Sequence, residues 1–214
     1  EPRLHSPYLK GKSKVDDVIE LATLIKMPLL PWQEFCLRDM LKIDSKGNWI
    51  RKQNLLLVSR QQGKTHLTRM VILAHLLKWD SKNIIIASSN RSMALDTFRQ
   101  VASVLEQNEN LMAMVKAIRY ANGTESIEMK DGTRLDVVAA TRDGSRGRSA
   151  CALFLDEIRE WSEEAYRAAM PVTRARPNAH TFLASMNTLR LSTARSMILK
   201  PGLLPTLHLA IPPL

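Results

Sequence analysis

Residues 55–65, Leu-Leu-Leu-Val-Ser-Arg-Gln-Gln-Gly-Lys-Thr, constrain the fold more tightly than any other part of this chain. An apolar run suited to a buried strand ends in a polar turn, and an amphipathic helical pattern opens at once from His66 to Lys78. Strand, Gly-Lys-Thr turn and helix in immediate succession form the context of a phosphate-binding loop. Backbone N–H groups of the turn and of the first helical turn point at the phosphates, where the helix dipole favours negative charge. Gly63 lets the backbone approach closely, Lys64 neutralises the β and γ phosphates of a nucleoside triphosphate, and Thr65 offers its hydroxyl to Mg²⁺. Only the second half of the pattern G-x-x-x-x-G-K-[ST] is kept, because its first glycine falls at Val58. A Gly-Lys-Thr tripeptide also opens ordinary helices, so the flanking strand and helix carry the inference.

A second signal lies downstream. Cys151-Ala152-Leu153-Phe154-Leu155 is a short apolar run ending in Asp156-Glu157, as a buried parallel strand delivering two carboxylates at its C-terminal end reads. Adjacent strand residues point to opposite faces, which predicts different tasks for the two acids. Asp156 is placed for Mg²⁺, usually through water, and Glu157 for orienting and deprotonating an attacking water. The bland alternative is a surface helix beginning at Asp-Glu-Ile-Arg-Glu, with acids near its positive end. Before this strand, Thr141 to Ser149 holds Arg142, Arg146 and Arg148 with Gly144 and Gly147. Such a loop suits a transferring phosphoryl group, nucleic-acid phosphates or plain solvent.

These residues resemble the large subunit of the phage terminase, the ATPase that drives DNA into a viral procapsid. Ser-Arg-Gln-Gln-Gly-Lys-Thr at 59–65 is similar to that family's variant phosphate loop, in which an arginine and glutamine replace the missing half of the standard pattern. Leu-Phe-Leu-Asp-Glu at 153–157 resembles its metal and catalytic-acid strand, Ser-Arg-Gly-Arg-Ser at 145–149 the basic segment before it, and Pro31-Trp32-Gln33 its adenine-reading element. The resemblance spans roughly residues 28–187, with the motifs in order. It implies a P-loop NTPase of the ASCE type, a mostly parallel α/β sheet flanked by helices, using ATP and Mg²⁺. It further implies that Arg60, Gln61 and Gln62 belong to the nucleotide site, with Arg60 on the γ phosphate, and that Gln33 meets the adenine edge. Arg146 is then the arginine finger toward a neighbouring subunit, with Arg148 in reserve, while Trp32 suits packing equally well. Ser185 and Asn187, at the end of Thr181-Phe182-Leu183-Ala184-Ser185, fall where the family couples hydrolysis to DNA movement. Implied partners are double-stranded DNA, a small terminase subunit, a portal and further copies in a homo-oligomeric ring, in the cytoplasm of a bacterial host.

A net charge of +10 over 214 residues implies a polyanionic partner, with Lys10, Lys12 and Lys14 forming a basic N-terminal arm and Arg134 joining the later arginines. No helix-turn-helix, zinc-finger or aromatic stacking motif is present, so DNA contacts are expected at the backbone. Solubility accounts for the charge as well. No apolar run approaches the roughly 20 residues a membrane span needs. Cys36 and Cys151 both lie in apolar settings and read as buried thiols of a reducing compartment; the histidines lack metal-ligand spacing.

Periodicity predicts helices over 15–25 and 32–41, a strand at 54–59, a helix at 64–78, a strand at 83–88 and a helix whose face carries Leu95, Phe98, Ala102 and Leu105. A β-hairpin insertion is expected between Val115 and Ala140, marked by Asn122-Gly123 and Asp131-Gly132. A strand at 151–155 and a helix capped by Ser162 follow, and 181–185 reads as the last strand. The expected organisation is a basic arm and helix over 1–30, the ATPase domain over 31–187 and an irregular tail over 188–214. From Thr188 onward the chain carries no acid and several prolines, so the clustered carboxylates of the family's nuclease domain are not expected here and the chain reads as a truncated or frame-disrupted product, such as a prophage remnant or an isolated ATPase segment. Two other functions fit the same motifs: a helicase-like nucleic-acid-dependent ATPase, and an inactive nucleotide-binding remnant.

Overall fold

The computed structural model describes residues 4–139, 149–186 and 206–209. In chain order they form β1 (Leu4–His5), α1 (Val15–Leu24), α2 (Pro31–Met40), β2 (Gln53–Val58), α3 (Lys64–Leu77), β3 (Asn83–Ser88), α4 (Arg91–Glu106), α5 (Glu109–Met112), β4 (Val115–Arg119), β5 (Ser126–Met129), β6 (Arg134–Ala139), β7 (Ala152–Asp156), α6 (Glu163–Ala169), β8 (His180–Met186) and β9 (Thr206–Leu209). Among the described residues all strands join one sheet in the order β1-β9-β2-β8-β7-β3-β6-β5-β4. The run from β9 to β6 is parallel, and antiparallel strands extend it at both edges. The chain is thus α/β with a mostly parallel sheet, as the motifs predict.

Period-two alternation of apolar residues builds two cores, because successive strand side chains leave opposite faces. Leu56, Val58, Ile84, Ile86, Phe154 and Phe182 pack toward the helices α1, α2, α3 and α4. Leu55, Leu57, Ile85, Leu153, Leu155 and Leu183 pack on the other face with Trp161, Met170 and Val172. α3 lies against the sheet with Met70 through Leu76 buried, and α1 and α4 pack on it. Local chemistry sets the helix starts: Pro31 opens α2, where a missing N–H costs nothing, and the Ser162 hydroxyl accepts from the Ala165 N–H at 3.1 Å to cap α6.

Both hairpin signals mark turns, at Gly123 between β4 and β5 and at Gly132 between β5 and β6. The strand leaving the second turn belongs to the main sheet, since β6 pairs parallel with β3 from Asn83↔Arg134 to Ser88↔Ala139. The C-terminal expectation needs correcting. Thr206–Leu209, within the segment read as irregular, pairs parallel with β2, and β1 pairs with it in turn. A four-residue strand among the six residues between Pro205 and Pro212 is too short to show a period.

The basic arm is also partly absorbed by the core: Lys14 Nζ sits 4.9 Å from the ring centre of Trp49 and 5.7 Å from that of Trp79. Arg134 is engaged with Asp136 at 2.8 Å. Burial pushes the Cys36 thiol up to about 12, the inert behaviour expected of a core thiol, whereas Cys151 is only half-buried.

Beneath Lys14, at the end of the sheet away from the phosphate loop, His75 and His180 are fully buried. His75 Nδ1 meets Ser81 Oγ at 2.7 Å, His180 Nε2 accepts from the Asn54 amide at 2.8 Å, and the two rings approach at 3.4 Å. Desolvation holds both neutral, with His180 lowered to about 3 and His75 well below its ordinary value. An unfolded histidine takes a proton near pH 6.5 that the folded His180 refuses, so this stability is complete above that pH and is lost as pH falls. We expect His180 alone to lower unfolding stability by about 2 kcal/mol between pH 6.5 and 5. Urea denaturation at both values checks this; an unchanged midpoint would show that the imidazole accepts its proton inside the fold.

Candidate nucleotide site

The sheet order brings three strand ends together. β8 lies between β2 and β7, with Leu57 opposite Ser185 and Leu155 opposite Leu183, so the phosphate loop, Ser185 and Asp156 share the C-terminal edge. This is where parallel α/β sheets bind ligands. The loop leaves β2 through half-buried Ser59 and exposed Arg60, and Gln61 and Gly63 both take left-handed backbone, at φ 59° and 89°. Gly63 caps α3, so Lys64 and Thr65 occupy its first turn, where the N–H groups of a helix lack intrahelical acceptors. Gly63 is required twice over: its φ is one that side chains resist, and a Cβ there would lie 2.7 Å from Gln33 Nε2.

Lys64 Nζ donates to Asp156 Oδ1 at 2.7 Å and to Glu157 Oε1 at 2.6 Å, with the Lys64 side chain 12% and the Glu157 side chain 5% exposed. Two carboxylates around one ammonium gather hard oxygen donors at one point. The alternation argument for Asp156 and Glu157 fails here. β7 ends at Asp156, and Glu157 turns into left-handed backbone (φ 48°, ψ 49°), which sends both carboxylates to the same lysine. A residue other than glycine pays roughly 1–2 kcal/mol for this conformation, so its surroundings must hold it. The surface-helix alternative is met by a single 3-10 turn, Ile158–Glu160.

Several partners hold the acid turn. Ser185 Oγ donates to Glu157 Oε2 at 3.5 Å, Arg159 Nε lies 3.6 Å from the same oxygen, and the Trp161 indole donates to the Asp156 carbonyl at 2.9 Å. Sequence reasoning missed Arg159 and Trp161; their spacing from Asp156-Glu157 was the available signal, and only the turn shows that they fold back. It also missed His66, whose Nε2 donates to the Pro28 carbonyl at 3.1 Å while its Nδ1 accepts from Arg69 at 2.9 Å. Burial lowers the His66 pKa, opposed by the Pro28 bond.

Gln33 is fully buried behind the loop. Its Nε2 donates to the Gly63 carbonyl at 2.8 Å and its Oε1 accepts from the Leu30 N–H at 2.8 Å, so the amide faces protein backbone at both ends. Trp32 is half-buried against the helical core, in keeping with packing. Gln62 and Thr65 are half-buried and Gln61 is exposed. Arg142, Arg146, Arg148 and Asn187 lie outside the described residues. Among the described residues no group of three or more His, Cys, Asp or Glu side chains forms a metal cage.

The sequence model of the family described as terminase large subunit, T4likevirus-type, N-terminal, matches residues 55–190, more than half of the chain and all of the loop and acid turn. The chain belongs to the terminase large subunit family. Solved structures agree with this terminase chain in fold. The large terminase of bacteriophage HK97 superposes with a TM-score of 0.67 at 19% identity, over 81% of this chain and 38% of that one. The ATPase domain of the Thermus phage P74-26 large terminase gives 0.64 at 14% identity, over 80% and 70%. The large terminase of a thermophilic bacteriophage in complex with ADP gives 0.50 at 13%, over 63% and 33%. The terminase chain therefore spans well under half the length of the HK97 protein. A search of curated proteins returned no match.

Proposed function

We propose that this chain is an ATP-hydrolysing motor domain that translocates double-stranded DNA into a procapsid. The observation that carries it is Lys64, at the N-terminus of α3, held between Asp156 and Glu157. Its support is the family match, the fold shared with a domain named an ATPase domain, and an ADP complex of a structural neighbour.

When ATP enters, the Lys64 ammonium exchanges its carboxylates for the β and γ phosphates, which also receive the N–H groups at the start of α3. The oxygen-rich cluster freed by that exchange fits a hard cation, with the Thr65 hydroxyl and Asp156 as the residues that would hold Mg²⁺ beside the phosphates. The ion supplies charge neutralisation on the phosphoryl oxygens. Glu157, released from Lys64 and still beside Ser185, orients the attacking water and takes its proton. Arg60 contacts the γ phosphate from the loop, with Gln61 and Gln62 lining it, and Gln33 reaches adenine only by exchanging its backbone partners. Arg146 acts across a ring of identical subunits, and Ser185 and Asn187 relay turnover to the DNA grip. Small terminase, portal and DNA backbone are the proposed partners in the host-cell cytoplasm; no helix among the described residues is long and apolar enough to cross a membrane.

The test is steady-state ATP hydrolysis by the chain in Mg²⁺, with and without double-stranded DNA. We expect DNA-stimulated turnover that weakens as salt rises, as backbone contacts demand. ATP bound without turnover under every condition would leave only a nucleotide-binding module, and duplex unwinding without a procapsid would replace packaging by a helicase-like activity.

A further inference from the structure

The two candidate acids share one peptide unit, whose carbonyl belongs to Asp156 and whose N–H belongs to Glu157. Its orientation decides where Glu157 points, and that residue sits in a backbone conformation it does not favour by itself. The N–H side is held by Asp156 Oδ1 at 2.9 Å. The carbonyl side is held by the Trp161 indole N–H at 2.9 Å, with Ser88 Oγ more distant at 3.5 Å. The chain between is closed by Glu160 N–H to the Glu157 carbonyl at 2.9 Å and Trp161 N–H to the Ile158 carbonyl at 3.2 Å.

Trp161 is itself fixed. It is 3% exposed and packs with Leu155, Ile158, Ala169, Met170 and Val172 on the face of the sheet opposite α3. It therefore reaches the acid turn from the side away from the phosphate loop, and it touches neither Lys64 nor the loop through any hydrogen bond described above. We propose that Trp161 is a positioning residue, whose indole N–H locks the Asp156–Glu157 peptide so that the Glu157 carboxylate faces the nucleotide site. This rests on the ATPase reading for its kinetic consequence, while the locked peptide stands independently of it. The physical reason for a large kinetic effect is that a misplaced general base loses rate steeply with distance, whereas phosphate binding at α3 is set by other elements.

The experiment compares Trp161→Phe with Trp79→Phe, whose indole donates at 2.7 Å to Asp17 far from the acid turn. Both changes remove a buried indole hydrogen bond, so the second controls for general loosening. Replacement of Trp161 by benzothienylalanine keeps the bicyclic shape without the N–H and serves if the phenylalanine variant does not fold. We expect a fall in kcat of about tenfold or more with ATP affinity held within about twofold, and no such change in Trp79→Phe. Unchanged kcat at position 161, or equal losses in both variants, would overturn the proposal. Amide hydrogen exchange at Glu157 and Ile158 is read in the same samples and is expected to quicken only on loss of the Trp161 N–H. Should the unaltered chain show no turnover, the ATPase reading falls while exchange still decides the lock: quickened exchange upholds it and unchanged exchange rejects it.

Discussion

Glu157→Gln is expected to remove ATP turnover while ATP still binds. The substitution changes one oxygen to an amide nitrogen and keeps the shape that fills the space beside Lys64, Ser185 and Arg159. What it loses is the carboxylate that, in the proposed mechanism, takes a proton from water, an effect of about 10²- to 10⁴-fold on kcat. Affinity should stay within about twofold, because the proposal assigns phosphate capture to Gly63, Lys64 and the first turn of α3. Steady-state kinetics and equilibrium binding of ATP measure the two separately. Turnover near that of the unaltered chain would remove Glu157 from the chemistry, and equal loss of binding would recast it as part of the phosphate cradle.

Lys64→Ala should act on the other half of that division. A charge-assisted contact to phosphate contributes about 3 kcal/mol, so ATP affinity should weaken by about 100-fold. The free protein should also lose stability, because half-buried Asp156 and buried Glu157 both lose the ammonium that pairs with them. With Arg159, 3.6 Å from Glu157, as the remaining nearby cation, the loss costs about 1–3 kcal/mol at neutral pH. Calorimetric titration with ATP and urea denaturation without it test the two claims. Intact affinity would place the phosphates elsewhere than the turn before α3. Intact stability would show that solvent replaces the lysine without loss.

The strand, turn and helix around residues 59–65 and the strand ending at Asp156 were legible because each is a local pattern. Four or five buried apolar residues bounded by a polar turn specify a strand whatever surrounds it, and observed limits such as Asn83–Ser88 and Lys64–Leu77 lie close to those read from periodicity. Ser162 illustrates the same locality, since a cap needs only the next three residues. Glu157 illustrates its failure. Strand alternation separates neighbouring side chains only while the strand continues, and nothing in Leu-Asp-Glu-Ile announces a left-handed residue at the second acid. Gln33 was singled out for a base contact; its amide accepts locally from the Leu30 N–H and donates across thirty residues of chain to the Gly63 carbonyl, and this second relation is visible only once α2 is set against α3.

What this sequence determined by itself was the alternation of helices and strands and the strand ends at which Gly63-Lys64-Thr65 and Asp156-Glu157 stand; the family was read from resemblance to known motifs. The elements follow from periodicity and from chemistry confined to neighbouring residues. The tertiary structure alone decided that β8 lies between the two motif strands and that Lys64 joins both acids. It also decided that Trp161 returns to grip Asp156 and that His75 and His180 share a dry pocket under Lys14. Each of these is a contact between segments distant in sequence. Their choice is made by packing the two faces of one sheet, which no local window of residues contains.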